Sequence, residues 1–471
     1  MDPAPRTFDT DGQLDFALLS GDINPIHMDP IAARRTTFRA PLVHGVHALL
    51  WALDGLCATE TGARAIESLR VSFRLPIRVG DRVRRTLAHD PAGGSTITVD
   101  LDGRPAVTVT AVLTVDSTSD VAIPTETESD SLSEPTFAEA AVSAGAVPLA
   151  IDLALCGRLF PSLEARLSHS QIAELLAATR LVGMRVPGRH SLFAEIDIHR
   201  RAATGGPAIL SYRTARADAR FGAVHLAIEG PTLVGTLKTF YRAPPVEQAT
   251  ALELAELVTP GEFSKERALV IGGSRGLGEV TAKLLAAGGA DIVVTYAQGA
   301  DDARRVCADV ARAGGHCRPI AFDCLRPEDL VRALDDFAPT DLHYFATPSI
   351  VLGDDRTFSA DRFARFCDFY VAGFAATVQA AHSVSGALRV LYPSTVFLDE
   401  RPPGSGEYCA AKAAGEEVCA HLMRGLPHLR IHAPRLPRLA TDQTTGLLGA
   451  RPPKPELALL QALRARAPGD A

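Results

Sequence analysis

The sequence predicts an α+β region built on an antiparallel sheet, followed by an α/β region with a doubly wound parallel sheet. Two stretches of the first half each place a helix pattern ahead of a series of strand patterns, whereas strands and helices alternate from residue 267 onward. The chain has 471 residues, which is enough for about three domains.

The first region, predicted over residues 1–118, has a polar opening and then a helix pattern over 44–57. Strand patterns follow at 68–77, 95–102 and 105–116, and the last two alternate apolar and polar residues around an Asp-Gly turn signal. This order predicts one central helix wrapped by an antiparallel sheet.

The second region, predicted over residues 137–245, repeats that order in pattern but not in letters. A helix pattern over 170–184 precedes strand patterns at 190–199, 208–216, 223–228 and 232–241. Residues 117–136 between the two regions are rich in Ser, Thr and acids and contain two prolines, which predicts a solvated linker.

The third region, predicted over residues 266–450, alternates strands and helices. Its first five patterns are a buried strand (268–272), a helix (277–287), a strand (291–296), a helix (302–314) and a strand (319–323). Such alternation predicts a parallel, doubly wound sheet. A break at Arg451-Pro452-Pro453 predicts that the remaining residues form a short tail.

Composition and charge exclude several classes of protein. The 48 basic and 55 acidic residues give a net charge of −7, which disfavours nucleic acid or an anionic membrane as the main partner. No secretory signal and no run of about 18 apolar residues occurs. The eight cysteines form no CxxC pair, so we expect reduced thiols in the cytoplasm, without disulfides or a metal site.

An acid, an amide and an imidazole lie within six residues of one another, as Asp22, Asn24 and His27. The acid and the imidazole suit general acid–base chemistry on one water or hydroxyl. Gly45 lies where the central helix begins, and its N–H suits an anionic oxygen. These parts suit the addition or removal of water beside a thioester. Taken alone, the first three residues are explained equally well as turn and helix-entry residues around Pro25.

The order of these residues, continued by Pro41-Leu-Val-His44-Gly45-Val-His47, closely resembles the MaoC-like family of (R)-specific enoyl-thioester hydratases. The resemblance implies a hotdog fold in which Asp22 and His27 are catalytic, Asn24 supports them and Gly45 contacts the thioester. The second region resembles a second hotdog without this motif. It therefore implies a double hotdog with one dehydratase site, and we expect His190 to be a turn or packing residue.

A glycine-rich turn lies between the first strand and the first helix of the third region. Glycines at this position let the backbone approach a pyrophosphate that rests against the helix N-terminus. The residues of the turn that we predict to bind a dinucleotide are Gly272, Ser274, Arg275, Gly276, Leu277 and Gly278.

Tyr408 and Lys412 lie four residues apart, and therefore on one face of a helix. We expect the ammonium to lower the pKa of the phenol and prepare it to pass a proton to a substrate oxygen during hydride transfer. Ser394 ends the preceding strand, where its hydroxyl can hydrogen-bond the substrate carbonyl. We expect Cys409 to be a packing residue and Asp399 a solvated one.

These residues resemble the short-chain dehydrogenase/reductase family, which has a Rossmann fold, over about residues 267–445. The resemblance implies that Asp323 binds the adenine and that the catalytic residues are Ser394, Tyr408 and Lys412. The second strand ends in Thr295-Tyr296-Ala297 without an acid for the ribose hydroxyls, while Arg275 lies in the glycine turn. This combination favours NADPH.

Three features depart from the pattern of that family. Tyr370 stands where the family has a catalytic asparagine, and Phe345-Ala346-Thr347-Pro348 stands where it has Asn-Ala-Gly. Thr395, thirteen residues before Tyr408, matches the usual family spacing, whereas Ser394 lies fourteen before it.

The two resemblances together imply a bifunctional reductase and dehydratase, because one activity makes the (R)-3-hydroxyacyl thioester that the other uses. We expect a homodimer that acts on acyl-CoA or acyl carrier protein thioesters in fatty-acid-like or polyketide-like biosynthesis. Two alternatives stay open: hydration followed by oxidation in a β-oxidation-like pathway, and a dehydratase with a degenerate, reductase-like docking module.

Overall fold

The computed structural model describes residues 5–90, 93–116, 122–125, 130–202, 207–242, 244–350, 353, 356–442, 444 and 452–466. The chain forms two compact units, one of Met1–Pro244 with Leu447–Gly449 and the other of Pro245–Gly446 with Ala450–Ala471. Both halves of the predicted double hotdog lie in the first unit. In the described ranges, no helix is both long enough and apolar enough to cross a membrane.

The first unit contains a ten-stranded antiparallel sheet whose strand order is β1-β3-β4-β5-β2-β7-β10-β9-β8-β6. Its strands are β1 (Arg6–Thr7), β2 (Arg64–Phe73), β3 (Arg82–His89), β4 (Ser95–Leu101), β5 (Arg104–Val115), β6 (Ala144–Pro148), β7 (Ser191–Arg200), β8 (Ile209–Asp218), β9 (Ala223–Glu229) and β10 (Leu233–Tyr241). The pairing of β2 with β7 joins the two halves into one sheet. The double hotdog is thereby confirmed.

Helices cover one face of this sheet. They are α1 (Thr10–Ser20), α2 (Pro25–Met28), α3 (Pro30–Ala33), α4 (Gly45–Cys57), α5 (Phe137–Ala140), α6 (Leu153–Leu159), α7 (Pro161–Glu164) and α8 (His169–Arg180). The central helices are α4 and α8, which are buried along most of their length and contribute to one continuous core. A π-helical turn, Leu181–Arg185, extends α8.

Part of the predicted linker is hydrogen-bonded to the second half. Residues 117–121 and 126–129 lie outside the described residues, but 130–136 pack on the second half. The Ser133 N–H donates to the Met184 carbonyl at 2.8 Å, and Arg185 donates to both carboxylate oxygens of Asp130. The segment is thus held against the second half while it stays partly exposed, because its polar residues satisfy groups that the irregular end of α8 leaves open.

The second unit contains a parallel sheet of six strands in the order β13-β12-β11-β14-β15-β17, and a two-stranded sheet of β16 and β18. The strands are β11 (Arg267–Ile271), β12 (Asp291–Tyr296), β13 (His316–Ala321), β14 (Asp341–Tyr344), β15 (Leu388–Leu391), β16 (Ser394–Thr395), β17 (Leu429–His432) and β18 (Arg435–Leu436). Apolar clusters cover both faces of the larger sheet, as the doubly wound prediction requires.

The helices of this unit include short ones that the sequence pattern does not predict. They are α9 (Ala251–Ala255), α10 (Gly276–Ala287), α11 (Ala300–Arg312), α12 (Leu330–Leu334), α13 (Ala360–Cys367), α14 (Phe374–Ser385), α15 (Phe397–Glu400), α16 (Gly406–Gly425) and α17 (Glu456–Arg464). A π-helical segment, Asp368–Gly373, connects α13 to α14.

The C-terminal segment is part of the second unit and not a loose tail. Leu459, Leu460 and Leu463 of α17 are buried in the same apolar cluster as α10. Beyond the helix, Arg466 is buried and donates to Asp341 at 2.9 Å and to Glu266 at 3.2 Å. Arg451 lies outside the described residues, but the prediction of a short tail is wrong for 452–466, because the amphipathic helix covers an apolar face that α10 would otherwise expose.

Candidate active sites

Asp22 is the buried acid of the first unit, with 1% of its surface exposed. It follows the left-handed Gly21 that ends α1. One carboxylate oxygen accepts a hydrogen bond from the Asn24 N–H at 3.2 Å, and the other accepts one from the Thr179 hydroxyl at 2.8 Å. Burial raises the pKa of Asp22, although these hydrogen bonds and His27 oppose the rise. The carboxyl group is therefore suited to hold a proton.

His27 lies beside this acid with its ring nitrogens in defined roles. Its Nδ1 lies 2.8 Å from the Leu42 carbonyl, and because a carbonyl only accepts, Nδ1 must be the donor. The Nε2 atom of the neutral ring is then left with a lone pair. Burial lowers the pKa of His27. Ligand atoms of Asp22, His27 and His44 lie within 4.8 Å of one another, so one water or hydroxyl can contact both acid and base.

A chain of buried hydrogen bonds fixes the ring next to His27. The His44 ring stacks on His27 with centroids 3.9 Å apart, and its Nε2 donates to the Asp22 carbonyl at 2.9 Å. Gln13 donates to His44 Nδ1 at 3.3 Å and accepts from His47 at 2.6 Å. Both nitrogens of His44 are thus committed to hydrogen bonds, and its role here is to position the Asp22 backbone and the His27 ring.

Asn24 and Gly45 lie at the starts of two helices, α2 and α4. Asn24 accepts from the Ile26 N–H at 3.1 Å, which starts α2. Gly45 is the first residue of α4, so its N–H is among those a helix leaves without an intrahelical partner. It directly follows His44, whose ring stacks on His27.

The second hotdog half completes the site of the first. Asn24 donates to the carbonyls of Gly183 at 2.7 Å and Gly188 at 3.1 Å, and Thr179 binds Asp22. A Cβ atom on Gly183 would overlap the Asp22 carboxylate. The second half, which lacks the motif, therefore supplies hydrogen-bond partners to Asp22 and Asn24, and its Gly183 leaves room for the Asp22 carboxylate. Sequence reasoning missed Thr179 and Gly183, since no local pattern distinguishes them.

The glycine turn of the second unit forms a close backbone cradle at the end of β11. Gly272 has a φ of 74°, and a Cβ atom there would lie 3.0 Å from the Ala346 nitrogen. A Cβ on Gly278 would overlap the Gly272 carbonyl. Gly276, with a φ of 59°, opens α10. Gly272 and Gly278 are thus required by the close packing of the turn itself, and the first N–H groups of α10 are of the kind that a helix offers to an anion such as a phosphate.

The other predicted cofactor residues lie around this cradle. Arg275 is the N-cap of α10, and its Nη1 lies 3.7 Å from Asp442. Ser274 is buried and Leu277 packs at the edge of the apolar cluster. Asp323 follows β13 and accepts from the Leu325 N–H at 3.0 Å.

Thr395, and not Ser394, is the hydroxyl that meets Tyr408. Tyr408 hydrogen-bonds the Thr395 side chain, whereas Ser394 donates to Glu416 at 2.5 Å. Arg435 also binds Glu416, at 2.8 Å. The structure thus directs Ser394 away from the phenol, because successive residues of an extended segment point in opposite directions.

Lys412 does not act on Tyr408 as the sequence suggests. Its Nζ donates to the Pro393 carbonyl at 2.7 Å and lies 4.0 Å from the centre of the Tyr370 ring. Burial lowers the pKa of Lys412 to about 7 and raises that of Tyr408 to about 12. The expected lowering of the phenol pKa by the ammonium is absent here, because both groups are buried and burial disfavours the charged form of each.

Tyr370 lies in the π-helical segment between α13 and α14. Its ring provides the face on which Lys412 rests, and its hydroxyl is 2.6 Å from that of Thr347. A bulky aromatic ring thus occupies the position of the family asparagine. Cys409, which we expect to be a packing residue, is buried. Asp399, which we expect to be solvated, is exposed and forms a 2.6 Å ion pair with Arg435.

Two family profiles match this chain in separate places. The profile described as MaoC like domain matches residues 2–103, and the one described as short chain dehydrogenase matches residues 266–433. The chain therefore contains a MaoC-like domain and a short-chain dehydrogenase domain.

Three characterised proteins are similar to parts of the chain. An (R)-specific enoyl-CoA hydratase from Aeromonas caviae is 44% identical over 71 residues, which are 14% of this chain and 52% of that protein. A 3-hydroxybutyryl-CoA dehydratase from Methylorubrum extorquens is 40% identical over 70 residues, 14% and 44% respectively. A short chain dehydrogenase/reductase from Aspergillus novofumigatus is 26% identical over 162 residues, 33% and 61% respectively. The chain thus spans about half of the length of these relatives.

Solved structures of short-chain dehydrogenases are also similar. One from Burkholderia cenocepacia, in complex with NADP, is 25% identical, covers 44% of this chain and 92% of its own, and has a TM-score of 0.40. One from Serratia marcescens is 24% identical with the same coverage and TM-score.

Proposed function

We propose that this chain, in which a MaoC-like domain is joined to a short-chain dehydrogenase domain, reduces a 3-oxoacyl thioester and dehydrates the product. The intermediate is an (R)-3-hydroxyacyl thioester and the final product is a 2-enoyl thioester, carried on CoA or an acyl carrier protein. The two steps suit one chain, because the first makes the substrate of the second.

The observation that carries the dehydratase half is the fixed acid–base pair of Asp22 and His27. Burial pushes the pKa of the carboxyl group up and that of the imidazole down. A pair with opposite shifts suits an acid and a base that work on one substrate. The Leu42 carbonyl holds Nδ1 of His27, so Nε2 is the atom available as the base.

The dehydration step follows from these positions. His27 Nε2 takes the proton from the α-carbon, and the electrons of that C–H bond form the new double bond. The bond from the β-carbon to its hydroxyl breaks, and the hydroxyl leaves as water with the proton of Asp22. The Gly45 N–H stabilises the charge that develops on the thioester oxygen. A proton transfer from His27 to Asp22 restores the starting state.

For the reduction step, Tyr408 donates its phenolic proton to the 3-oxo oxygen, and Thr395 takes the role first assigned to Ser394. Both hydroxyls can hold the substrate oxygen, because they already hydrogen-bond each other. Lys412 keeps this region electropositive when it is protonated, and the Pro393 carbonyl and the Tyr370 ring hold its ammonium.

The residues present fit NADPH, which when bound supplies the hydride for the 3-oxo carbon. The Gly272–Gly278 turn would receive the pyrophosphate and Asp323 the adenine. Arg275 would meet the additional phosphate, since β12 ends without an acid to hold ribose hydroxyls. NADPH favours the reductive direction over hydration followed by oxidation.

The test is mass-spectrometric product analysis with a short 3-oxoacyl group on CoA and on an acyl carrier protein, with NADPH or NADH. We expect the 2-enoyl product with NADPH. Tyr408→Phe should lower reduction at least about 100-fold, and Asp22→Asn should stop the reaction at the 3-hydroxyacyl product. The first unit offers matched controls at exposed Asp11 and half-buried Tyr212, Asp11→Asn and Tyr212→Phe, which should behave as the wild type. Enoyl product from Asp22→Asn would overturn the assignment of the first site.

A second candidate is a dehydratase with a reductase-like module that no longer reduces. It is favoured by the Tyr370 ring in place of an asparagine and by the Ser394–Glu416 contact. This candidate predicts dehydration of a supplied (R)-3-hydroxyacyl thioester at the normal rate, with no reduction of any 3-oxoacyl thioester by either nucleotide.

A further inference from the structure

Arg242 is a buried arginine without an acidic partner among the residues that the structure describes. It directly follows β10, and 7% of its surface is exposed. Its Nη2 donates to the Arg189 carbonyl at 3.1 Å, and its Nε has no hydrogen-bond partner. Other buried arginines of the chain are paired: Arg180 lies near Asp130, and Arg466 binds Asp341 and Glu266. Among the described residues, no carboxylate therefore compensates the charge of the Arg242 guanidinium.

His190 adds a second unsatisfied nitrogen in the same place. The residue is also 7% exposed, and its Nδ1 has no hydrogen-bond partner. Its carbonyl accepts from the Arg242 N–H at 2.6 Å, so the two residues are neighbours. Burial lowers the pKa of His190, and the charge of Arg242 lowers it further. Turn formation and packing, the roles expected for His190, do not by themselves account for a polar atom left unpaired in this way.

The pair borders the proposed dehydratase site. Asn24 donates to the carbonyl of Gly188, two residues before His190. The charge of Arg242 also reaches His27, where it contributes to the lowered pKa of that base. All of these residues belong to the first unit, so the cluster and the acid–base pair form one region of the molecule.

A buried cation without a partner is costly, and an anion that enters with the substrate offsets this cost. A CoA or carrier-protein phosphate is separated from the thioester by the whole pantetheine arm, so it cannot lie beside His27 while the acyl group does. The anion must therefore belong to the acyl chain. An arginine fork with a second N–H donor beside it matches a carboxylate.

We propose that Arg242 and His190 form a carboxylate subsite, and that the dehydratase prefers 3-hydroxyacyl thioesters whose acyl chain carries a second, free carboxylate. The proposal rests on the dehydratase function proposed above and specifies its substrate class. One oxygen of the carboxylate would accept from Arg242 Nε and the other from His190 Nδ1 in its protonated tautomer.

The kinetic test compares (R)-3-hydroxyglutaryl-CoA with (R)-3-hydroxyvaleryl-CoA, which has the same chain length but no second carboxylate. We expect the wild type to favour the carboxylated substrate in kcat/KM by about 10- to 100-fold, the range of a charged hydrogen bond. Arg242→Met should reduce this ratio to about unity, and Arg242→Lys should restore part of it. Arg220→Met is the control: Arg220 is exposed and pairs with Asp218, so the ratio should be that of the wild type.

A binding measurement separates failure of the subsite from failure of the proposed function. Free glutarate should raise the melting temperature of the wild type and of Asp22→Asn, but not that of Arg242→Met. Binding that depends on Arg242, with no dehydration of any thioester, would refute the function and keep the subsite. Dehydration without preference for the carboxylated substrate would refute the subsite. If Arg242→Met fails to fold, the kcat/KM ratio of the two substrates, measured for the wild type and for Arg242→Lys, still tests the subsite.

Discussion

The Thr179 hydroxyl donates a 2.8 Å hydrogen bond to the carboxylate of Asp22, a residue 157 positions earlier in the chain. The donor lies on α8 of the second hotdog half and the acceptor follows α1 of the first. Asp22, the proposed acid, is therefore held in part by the half that carries no such motif. The segment that contains Asp22, Asn24 and His27 therefore needs the second hotdog half to hold its side chains in place.

Replacing Thr179 by Val should shift the pH dependence of dehydration. The hydroxyl stabilises the ionised form of Asp22, so its loss raises the pKa of the carboxyl group. We expect the alkaline limb of the kcat/KM profile, where Asp22 loses its proton, to move to higher pH, so that on this limb the variant keeps a larger share of its maximal kcat/KM than the wild type does. Thr179→Ser keeps the hydroxyl and should retain the wild-type limb. An unchanged limb in Thr179→Val would contradict the assignment of Asp22 as the acid.

Adding one methyl group at Gly183 should disable the dehydratase. A Cβ atom there overlaps the Asp22 carboxylate, which must then move. We expect Gly183→Ala to lower the dehydration rate about 100-fold, the usual cost of displacing a catalytic group by about 1 Å. Reduction by the second unit provides the internal reference and should be unaffected. The control is Gly425→Ala, because a Cβ there meets nothing within 4 Å. A wild-type dehydration rate in Gly183→Ala would show that this packing is unimportant.

The two hydroxyls at the end of the reductase strand should differ in their effects. Thr395 hydrogen-bonds Tyr408, whereas Ser394 is bound to Glu416. We expect Thr395→Ala to lower kcat for 3-oxoacyl reduction about 100-fold or more. Ser394→Ala should leave most of the rate, since it removes a contact remote from the phenol. A larger loss of NADPH consumption in Ser394→Ala than in Thr395→Ala would instead assign the catalytic role to Ser394.

The C-terminal segment should be essential for the stability of the second unit. Arg466→Met leaves Arg389 as the remaining cation beside the buried carboxylates of Asp341 and Glu266, so we expect a loss of up to about 3 kcal/mol. Arg464→Met removes an exposed pair with Glu262 and should cost at most about 1 kcal/mol. Hydrogen exchange of peptides from 267–271 is the suitable measurement, because the single tryptophan, Trp51, reports only on the first unit. Equal protection from hydrogen exchange in both variants would show that the ion pairs of Arg466 contribute nothing to the stability of the second unit.

Hydrophobic patterning predicts most of the regular elements. The helix expected at 44–57 is observed at Gly45–Cys57, and the strands expected at 95–102 and 291–296 at Ser95–Leu101 and Asp291–Tyr296. These elements are buried on a continuous face, so the period of their apolar residues reports on their structure. Short elements such as β1, β6 and α9 are not predicted, because two to five residues are too few to show a period of apolar residues.

The failed expectations concern side chains whose partners are distant in sequence. The polar run at 130–136 reads as a linker until the end of α8 is brought against it. Lys412 and Tyr408 share a helix face, but burial determines the pKa of Lys412 and its ammonium lies over the Tyr370 ring. Spacing along the chain contains no information about either contact.

The sequence by itself determined the two kinds of fold and the motifs, because helix and strand periods, turn glycines and local acid–imidazole spacing are properties of consecutive residues. Only the tertiary structure decided which hydroxyl meets Tyr408, which half of the double hotdog holds Asp22, and that Arg242 is buried without an acid. Those outcomes depend on burial and on hydrogen bonds between residues more than a hundred positions apart, or on the direction in which adjacent side chains of one strand point.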